Sequence, residues 1–152
     1  MELAEQSFRP TYQNIVPPEQ IDFMMDWMYS ERSLNQQFDE GHRFYIIFDE
    51  ASQPKGYGSI EQQEPQLFHL QRLYLNPETQ GKGYGRVLFN HLLSEAKRYA
   101  KDNKCRVELN VNRENKATKF YFSMGMQVLY SEDFKIEGTP YLRTDHIMYI
   151  DL

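Results

Sequence analysis

The clearest pattern of apolar and polar positions runs from Leu67 to Ala100. Leu67-Phe68-His69-Leu70-Gln71-Arg72-Leu73-Tyr74-Leu75 is rich in apolar and aromatic residues and predicts a strand. Asn76-Pro77-Glu78-Thr79 ends it, because proline offers no ladder donor and Asn-Pro favours a turn. Beyond Gln80-Gly81-Lys82-Gly83-Tyr84-Gly85, apolar residues recur at Leu88, Phe89, Leu92, Leu93, Ala96 and Ala100. Spacings of three and four mark one face of a helix. The order is strand, turn, glycine-rich loop, helix.

The rest of the chain divides by the same signals. Residues 7–16 predict a short first strand, closed by Pro17-Pro18, and a helix follows from about Pro18 to Tyr29 with Ile21, Met24, Met25 and Met28 inward. Met28 is assigned to core packing rather than to the lip of a pocket. A second helix starts near Ser30, where Ser33 and Gln36 also fit a capping box, and stops before Gly41. Arg43 to Asp49 and Lys55 to Glu61 predict an antiparallel hairpin joined by the loop from Glu50 to Pro54. After the long helix come a half-buried strand from Arg106 to Val111, a helix over Lys116 to Met124 stopped by Gly125, and final strands near Gln127–Phe134 and Leu142–Ile150. These elements predict one α+β domain over residues 1–152, with a mixed, mostly antiparallel sheet.

Composition narrows the chemistry. The net charge of −5 gives no basic surface for general nucleic-acid binding and suits a small cationic substrate. One cysteine excludes an internal disulfide and a cysteine-based metal site, and Cys105 reads as a buried, inert thiol. No apolar run reaches membrane-spanning length, and Met1-Glu2-Leu3-Ala4-Glu5 lacks a signal pattern, so a cytoplasmic location is expected, with no metal, membrane or nucleic-acid partner.

A glycine-rich loop opening a helix presents unpaired N–H groups at the positive end of the dipole, where phosphate binds. A nucleoside-triphosphate loop needs Ser or Thr after its lysine, but Gly83 follows Lys82. A dinucleotide fingerprint needs glycine where Arg86 stands. The remaining pattern, Gln/Arg-x-x-Gly-x-Gly/Ala, is filled by Gln80, Gly83 and Gly85. Here the chain resembles the GNAT superfamily of acyl-CoA-dependent N-acetyltransferases. Val111 to Met126 carries a second likeness, to the later GNAT motif Asn-x-x-Asn-x-x-Ala-x-x-Phe/Leu-Tyr-x-x-x-Gly-Phe, with Met126 replacing the final Phe. Asp145-His146-Ile147-Met148-Tyr149-Ile150 also looks like the family's last strand. The resemblance covers about Phe44 to the end. It implies a sheet of about six to seven strands flanked by about four helices.

The resemblance implies attack of a neutral amine on the thioester of acetyl-CoA, with no metal. Backbone groups of Gln80, Gly81, Lys82, Gly83, Tyr84 and Gly85 are implied to hold the pyrophosphate, with Lys82 or Arg86 adding charge. Leu73, Tyr74 and Leu75 map onto the strand that pairs with the pantetheine arm, and a strand N–H there can polarise the carbonyl. Asn112 and Asn115 match asparagines that position the coenzyme, or else act as caps and turns. Tyr121 falls on the family's general acid, a phenol able to give a proton to a thiolate. For the base, Glu61 is the first choice and His69 the second.

The reading is therefore an N-acetyltransferase acting on a small primary amine, polyamine-like or amino-acid-like. The helical start around Met28-Tyr29-Ser30 is similar to bacterial polyamine acetyltransferases. A protein N-terminus or lysine stays open as acceptor, and dimers are frequent in this family. The rival readings are a coenzyme-binding sensor without turnover and a structural interaction module.

Overall fold

The computed structural model describes residues 2–135, 138–140 and 142–152; Met1, part of the N-terminal stretch considered above, lies outside them. Helices α1 (Glu2–Tyr12), α2 (Pro18–Tyr29) and α3 (Glu31–Asp39) precede strands β1 (His42–Phe48), β2 (Pro54–Glu64) and β3 (Leu67–Leu75). Helix α4 (Tyr84–Tyr99), strand β4 (Arg106–Asn112), helix α5 (Ala117–Ser123) and strands β5 (Gln127–Lys135) and β6 (Leu142–Asp151) complete the chain. The strands form one sheet in the order β1-β2-β3-β4-β6-β5. Only β3 and β4 are parallel, as a crossover through α4 requires. The mixed α/β architecture and the mostly antiparallel six-stranded sheet follow the expectation.

The expected strand over residues 7–16 is instead the end of α1, up to Tyr12, and the turn that follows it. Phe8, Pro10 and Tyr12 alternate as a strand would, but Ala4, Phe8 and Tyr12, all buried, recur every four residues and lie on one helical stripe. The Arg9–Glu5 ion pair is also spaced i, i+4. Pro10 lies inside α1 and supplies no N–H to the helix ladder. The capping box at Ser33 does not form either. Ser30 accepts from the Ser33 N–H, and the Ser33 hydroxyl turns back to the Trp27 carbonyl at 2.7 Å.

One face of the sheet carries the main core, where Phe68, Leu70, Val107, Leu109 and Met148 meet Leu88, Phe89 and Leu92 of α4 and Tyr121 of α5. A Cβ at Gly58 would come within 2.6 Å of Leu92, so the missing side chain lets α4 settle onto β2. The other face is covered by an aromatic layer in which Phe8, Tyr12 and Tyr29 pack on Tyr57 and Tyr74. Tyr57 donates to the Tyr29 hydroxyl at 2.7 Å within it. No helix among the described residues is long and apolar enough to cross a membrane.

Leu92 is fully buried beneath the sheet. Leu92→Ala is expected to cost about 3 kcal/mol of unfolding free energy. Urea denaturation followed by circular dichroism measures this; a loss under about 0.5 kcal/mol would mean that α4 is not packed on β2 in this way.

Candidate active site

The site begins where β3 loses a partner. Its parallel ladder with β4 holds only Leu67↔Arg106, Phe68↔Val107 and His69↔Glu108. β3 runs on to Leu75 and β4 to Asn112, so a fork opens between them. On their outer edges both strands stay paired, Leu73, Tyr74 and Leu75 with Gly58, Tyr57 and Gly56, and Asn112 with Asp145. Backbone N–H and C=O groups along the inner edges of the fork therefore lack ladder partners and are available to an extended ligand. At its crotch the His69 Nε2 and Asn110 Oδ1 lie 3.0 Å apart.

A β-bulge sits just inside the fork. β2 advances one residue, from Ser59 to Ile60, while β3 passes from Arg72 to Leu70, so Gln71 is the inserted residue. The bulge reverses the strand's alternation. Phe68 and Leu70 face the main core before it, Leu73 and Leu75 after it, and Arg72 and Tyr74 turn to the aromatic layer. This slip was legible in the sequence, because the apolar positions change from even to odd between Leu70 and Leu73.

At the open end of the fork lies the glycine loop. Gly81 and Gly83 have φ of +81° and +86°, the left-handed region that favours glycine, and a Cβ at either would meet nothing within 4 Å. Gly83 caps α4 without a side-chain hydrogen bond, and the first turn carries no acidic residue. Val87 is the first to bond back, to the Gly83 carbonyl at 3.2 Å, so the N–H groups of Tyr84, Gly85 and Arg86 have no helical partner. Gly85 serves packing, since a Cβ there would approach Leu75 at 3.2 Å and Phe120 at 3.5 Å. Gln80, Lys82 and Arg86 are exposed around the loop. Such a surface of open amides, with Lys82 and Arg86 beside them, is the kind that fits a pyrophosphate.

The asparagines make local bonds. Asn112 Oδ1 accepts from the Glu114 N–H at 3.0 Å, and Asn115 Oδ1 from the Ala117 N–H at 2.9 Å, at the start of α5. Both thereby fix the turn that brings Tyr121 beneath the sheet. Tyr121 is buried against Phe89 and Phe120, and burial pushes its phenol well above the ordinary tyrosine range, with Tyr12 adding to the shift. Tyr121 lies in the main core and Tyr12 in the layer on the opposite face, where the Tyr12 and Tyr74 hydroxyls stand 3.4 Å apart.

Glu61 and His69 are cross-strand neighbours on the aromatic-layer side. Glu61 Oε2 accepts from Gln71 Nε2 at 2.8 Å and lies 3.5 Å from His42 Nε2. Burial lowers the His42 pKa, opposed by Glu61 and reinforced by Arg72. The buried Arg72 guanidinium reaches the Met28 carbonyl and Ser59 hydroxyl at 3.4 and 3.5 Å and stacks over Tyr29. It thus meets the negative end of α2. His42, Gln71, Arg72 and Asn110 are neighbours of the site that the sequence reading did not single out. Among the described residues, no group of three or more His, Cys, Asp or Glu side chains is placed to hold a metal.

The profile of the acetyltransferase (GNAT) domain matches residues 13–143. The chain belongs to the GNAT acetyltransferase family. Within it, 98 residues are 31% identical to the peptidyl-lysine N-acetyltransferase YjaB of Escherichia coli, covering 64% of this chain and 58% of that relative. The PaiA N-acetyltransferase of Thermoplasma acidophilum, solved in complex with coenzyme A, superposes with a TM-score of 0.78 at 27% identity, over 97% of this chain and 87% of its own. The spermidine/spermine N-acetyltransferase SpeG of Vibrio cholerae shares the fold, with a TM-score of 0.62 at 24% identity over 89% of this chain and 78% of its own.

A raised phenol pKa means that the folded chain holds the Tyr121 proton more tightly than the unfolded one. Its contribution to stability is complete below the unfolded value of about 10 and falls as pH rises past it. Ultraviolet titration of the folded protein should therefore give the same tyrosinate signal for wild type and Tyr121→Phe up to about pH 10. A missing component in the variant below that pH would refute the burial.

Proposed function

We propose that this chain is an N-acetyltransferase that moves the acetyl group of acetyl-CoA to a primary amine of a small molecule, by direct attack. The observation that carries the reading is an open, uncapped start of α4 that follows a strand only partly paired with β4, over a core in which Tyr121 is buried. The coenzyme supplies an activated acyl carbon. Gln80 to Gly85 would take the pyrophosphate on their amides, with Lys82 or Arg86 adding charge, and Asn112 and Asn115 would shape the wall opposite. The edge of β3 at Leu73, Tyr74 and Leu75 would pair with the pantetheine amides, and one N–H there would face the thioester oxygen.

Tyr121 is assigned the proton for the departing thiolate. Burial raises the phenol, which keeps it protonated at neutral pH, and a thiolate leaving into the same dry environment is raised as well. Glu61 is assigned the ammonium group. It retains 27% of its side-chain exposure, whereas His69 Nε2 is tied to Asn110 and its Nδ1 is sealed from solvent with no hydrogen-bond partner among the described residues. A second reading has lysine side chains of proteins as acceptors, favoured by the likeness to a relative named a peptidyl-lysine N-acetyltransferase.

Calorimetry with acetyl-CoA, followed by free-thiol release as polyamines, amino acids and a lysine peptide are added, tests the proposal and separates the acceptors. Binding with turnover on a small amine is expected; no binding would end the reading. Gly83→Asp puts a carboxylate at the pyrophosphate position and strains a residue at φ +86°, so heat of binding should disappear from the titration. Tyr121→Phe should leave acetyl-CoA affinity unchanged and lower kcat by about a hundredfold, the scale of losing a general acid. A variant with wild-type kcat would remove Tyr121 from that role.

A further inference from the structure

We propose that Gln71, the residue inserted into β3 by its bulge, is a positioning residue that holds the Glu61 carboxylate where it receives the acceptor's ammonium group. This rests on the N-acetyltransferase reading above and adds a residue to its machinery. In an unbroken ladder, position 71 would sit opposite a residue of β2. Here β2 offers none, and the Gln71 side chain instead reaches Glu61 with an Nε2···Oε2 distance of 2.8 Å. A hydrogen bond to an ionised acceptor is about twice as strong as a neutral one. The bulge thus does two things at one position: it breaks the regular ladder beside the fork, and it turns an amide donor onto the carboxylate nearest that break.

His42 completes the hold, since its Nε2 approaches the same oxygen at 3.5 Å. Among the described residues both contacts fall on Oε2, and Oε1 receives none. Burial keeps His42 inclined to its neutral form, so the carboxylate is oriented without being cancelled by a full positive charge. The titratable and charged groups around the pair are His42 from β1, Glu40 from the turn before it, His69 and Arg72 from β3, and Glu108 opposite His69 on β4. A carboxylate with one oxygen pinned and one open accepts a proton or an ammonium group in a defined direction. The chemistry it selects is a cationic primary amine, whichever molecule carries it.

Gln71→Leu and the near-isosteric Gln71→Met both remove the donor. The Gln71 side-chain amide protons, followed by 1H–15N NMR, should move upfield in Glu61→Ala, because their carboxylate acceptor is lost. In both Gln71 variants kcat/KM at neutral pH should fall about tenfold or more, with acetyl-CoA affinity unchanged. In a Glu61→Gln background Gln71→Met should cause no further loss, since the donor then has no carboxylate to hold. Unmoved amide protons, wild-type kcat/KM in both Gln71 variants, or losses that multiply in the double variant would overturn the proposal. The NMR comparison needs no turnover, so a wild type that bound no acetyl-CoA would sink the underlying activity while the Gln71–Glu61 contact was judged separately.

Discussion

The rest of the structure depends on how β3 satisfies its backbone. A strand in the middle of a sheet ordinarily spends both edges on its neighbours, since an unmet N–H or C=O away from water is costly. β3 does so for only three residues against β4, then runs on to Leu75 beyond that ladder. That arrangement is tolerable only if solvent or a ligand meets those groups. The cores on both faces hold the strand in place meanwhile: Leu73 and Leu75 are anchored below it, and Tyr74 above it among Phe8, Tyr12 and Tyr57. The opening is therefore rigidly framed, and a ligand that pairs with it need not also order it.

The glycines at the mouth of the fork work by two different physical routes. Gly81 and Gly83 lie in open space and are needed for their left-handed backbone, which turns successive amides outward. Gly85 and Gly58 are needed because something else occupies the place of a side chain, Leu75 and Phe120 for one and Leu92 for the other. The second pair brings α4 tight against the sheet, and the first pair makes the start of that helix receptive. Neither pair alone would set an anion-binding helix end beside an unpaired strand edge.

Much of this was legible in the residues, and the exceptions share a cause. The bounds of β3 and the helix from Pro18 to Tyr29 coincide with what periodicity and proline predict. The loop and the α5 segment stood out because glycine and asparagine carry local backbone meaning. Helix α1 was misread because Phe8, Pro10 and Tyr12 imitate a strand when Ala4 is left out of view, and only packing on Tyr74 decides between the two periods. The contacts of Glu61 with His42 and Gln71 were invisible for a deeper reason. Glu61 and His42 are cross-strand partners in the β1–β2 hairpin, whereas the meeting of Glu61 with Gln71 depends on a one-residue slip in register. That slip does leave a trace, the change of parity between Leu70 and Leu73, but the trace says nothing about which side chain it redirects.

The same logic explains why the donor side of the reaction is easier to read than the acceptor side. Holding a coenzyme through backbone amides constrains glycines, caps and turns, which are sequence-local. On the acceptor side proposed for this chain, the groups are single side chains of β1, β2 and β3. There a carboxylate, two histidines and a buried guanidinium are balanced by burial and mutual charge. Arg72 is directed to the Met28 carbonyl at the end of α2, while Glu61 takes Gln71 as its donor. Had the guanidinium paired with Glu61 instead, its charge would have offset that of the carboxylate proposed to meet an ammonium ion. On the proposed reading, the direction in which Arg72 points therefore matters to the acceptor as much as the presence of Glu61.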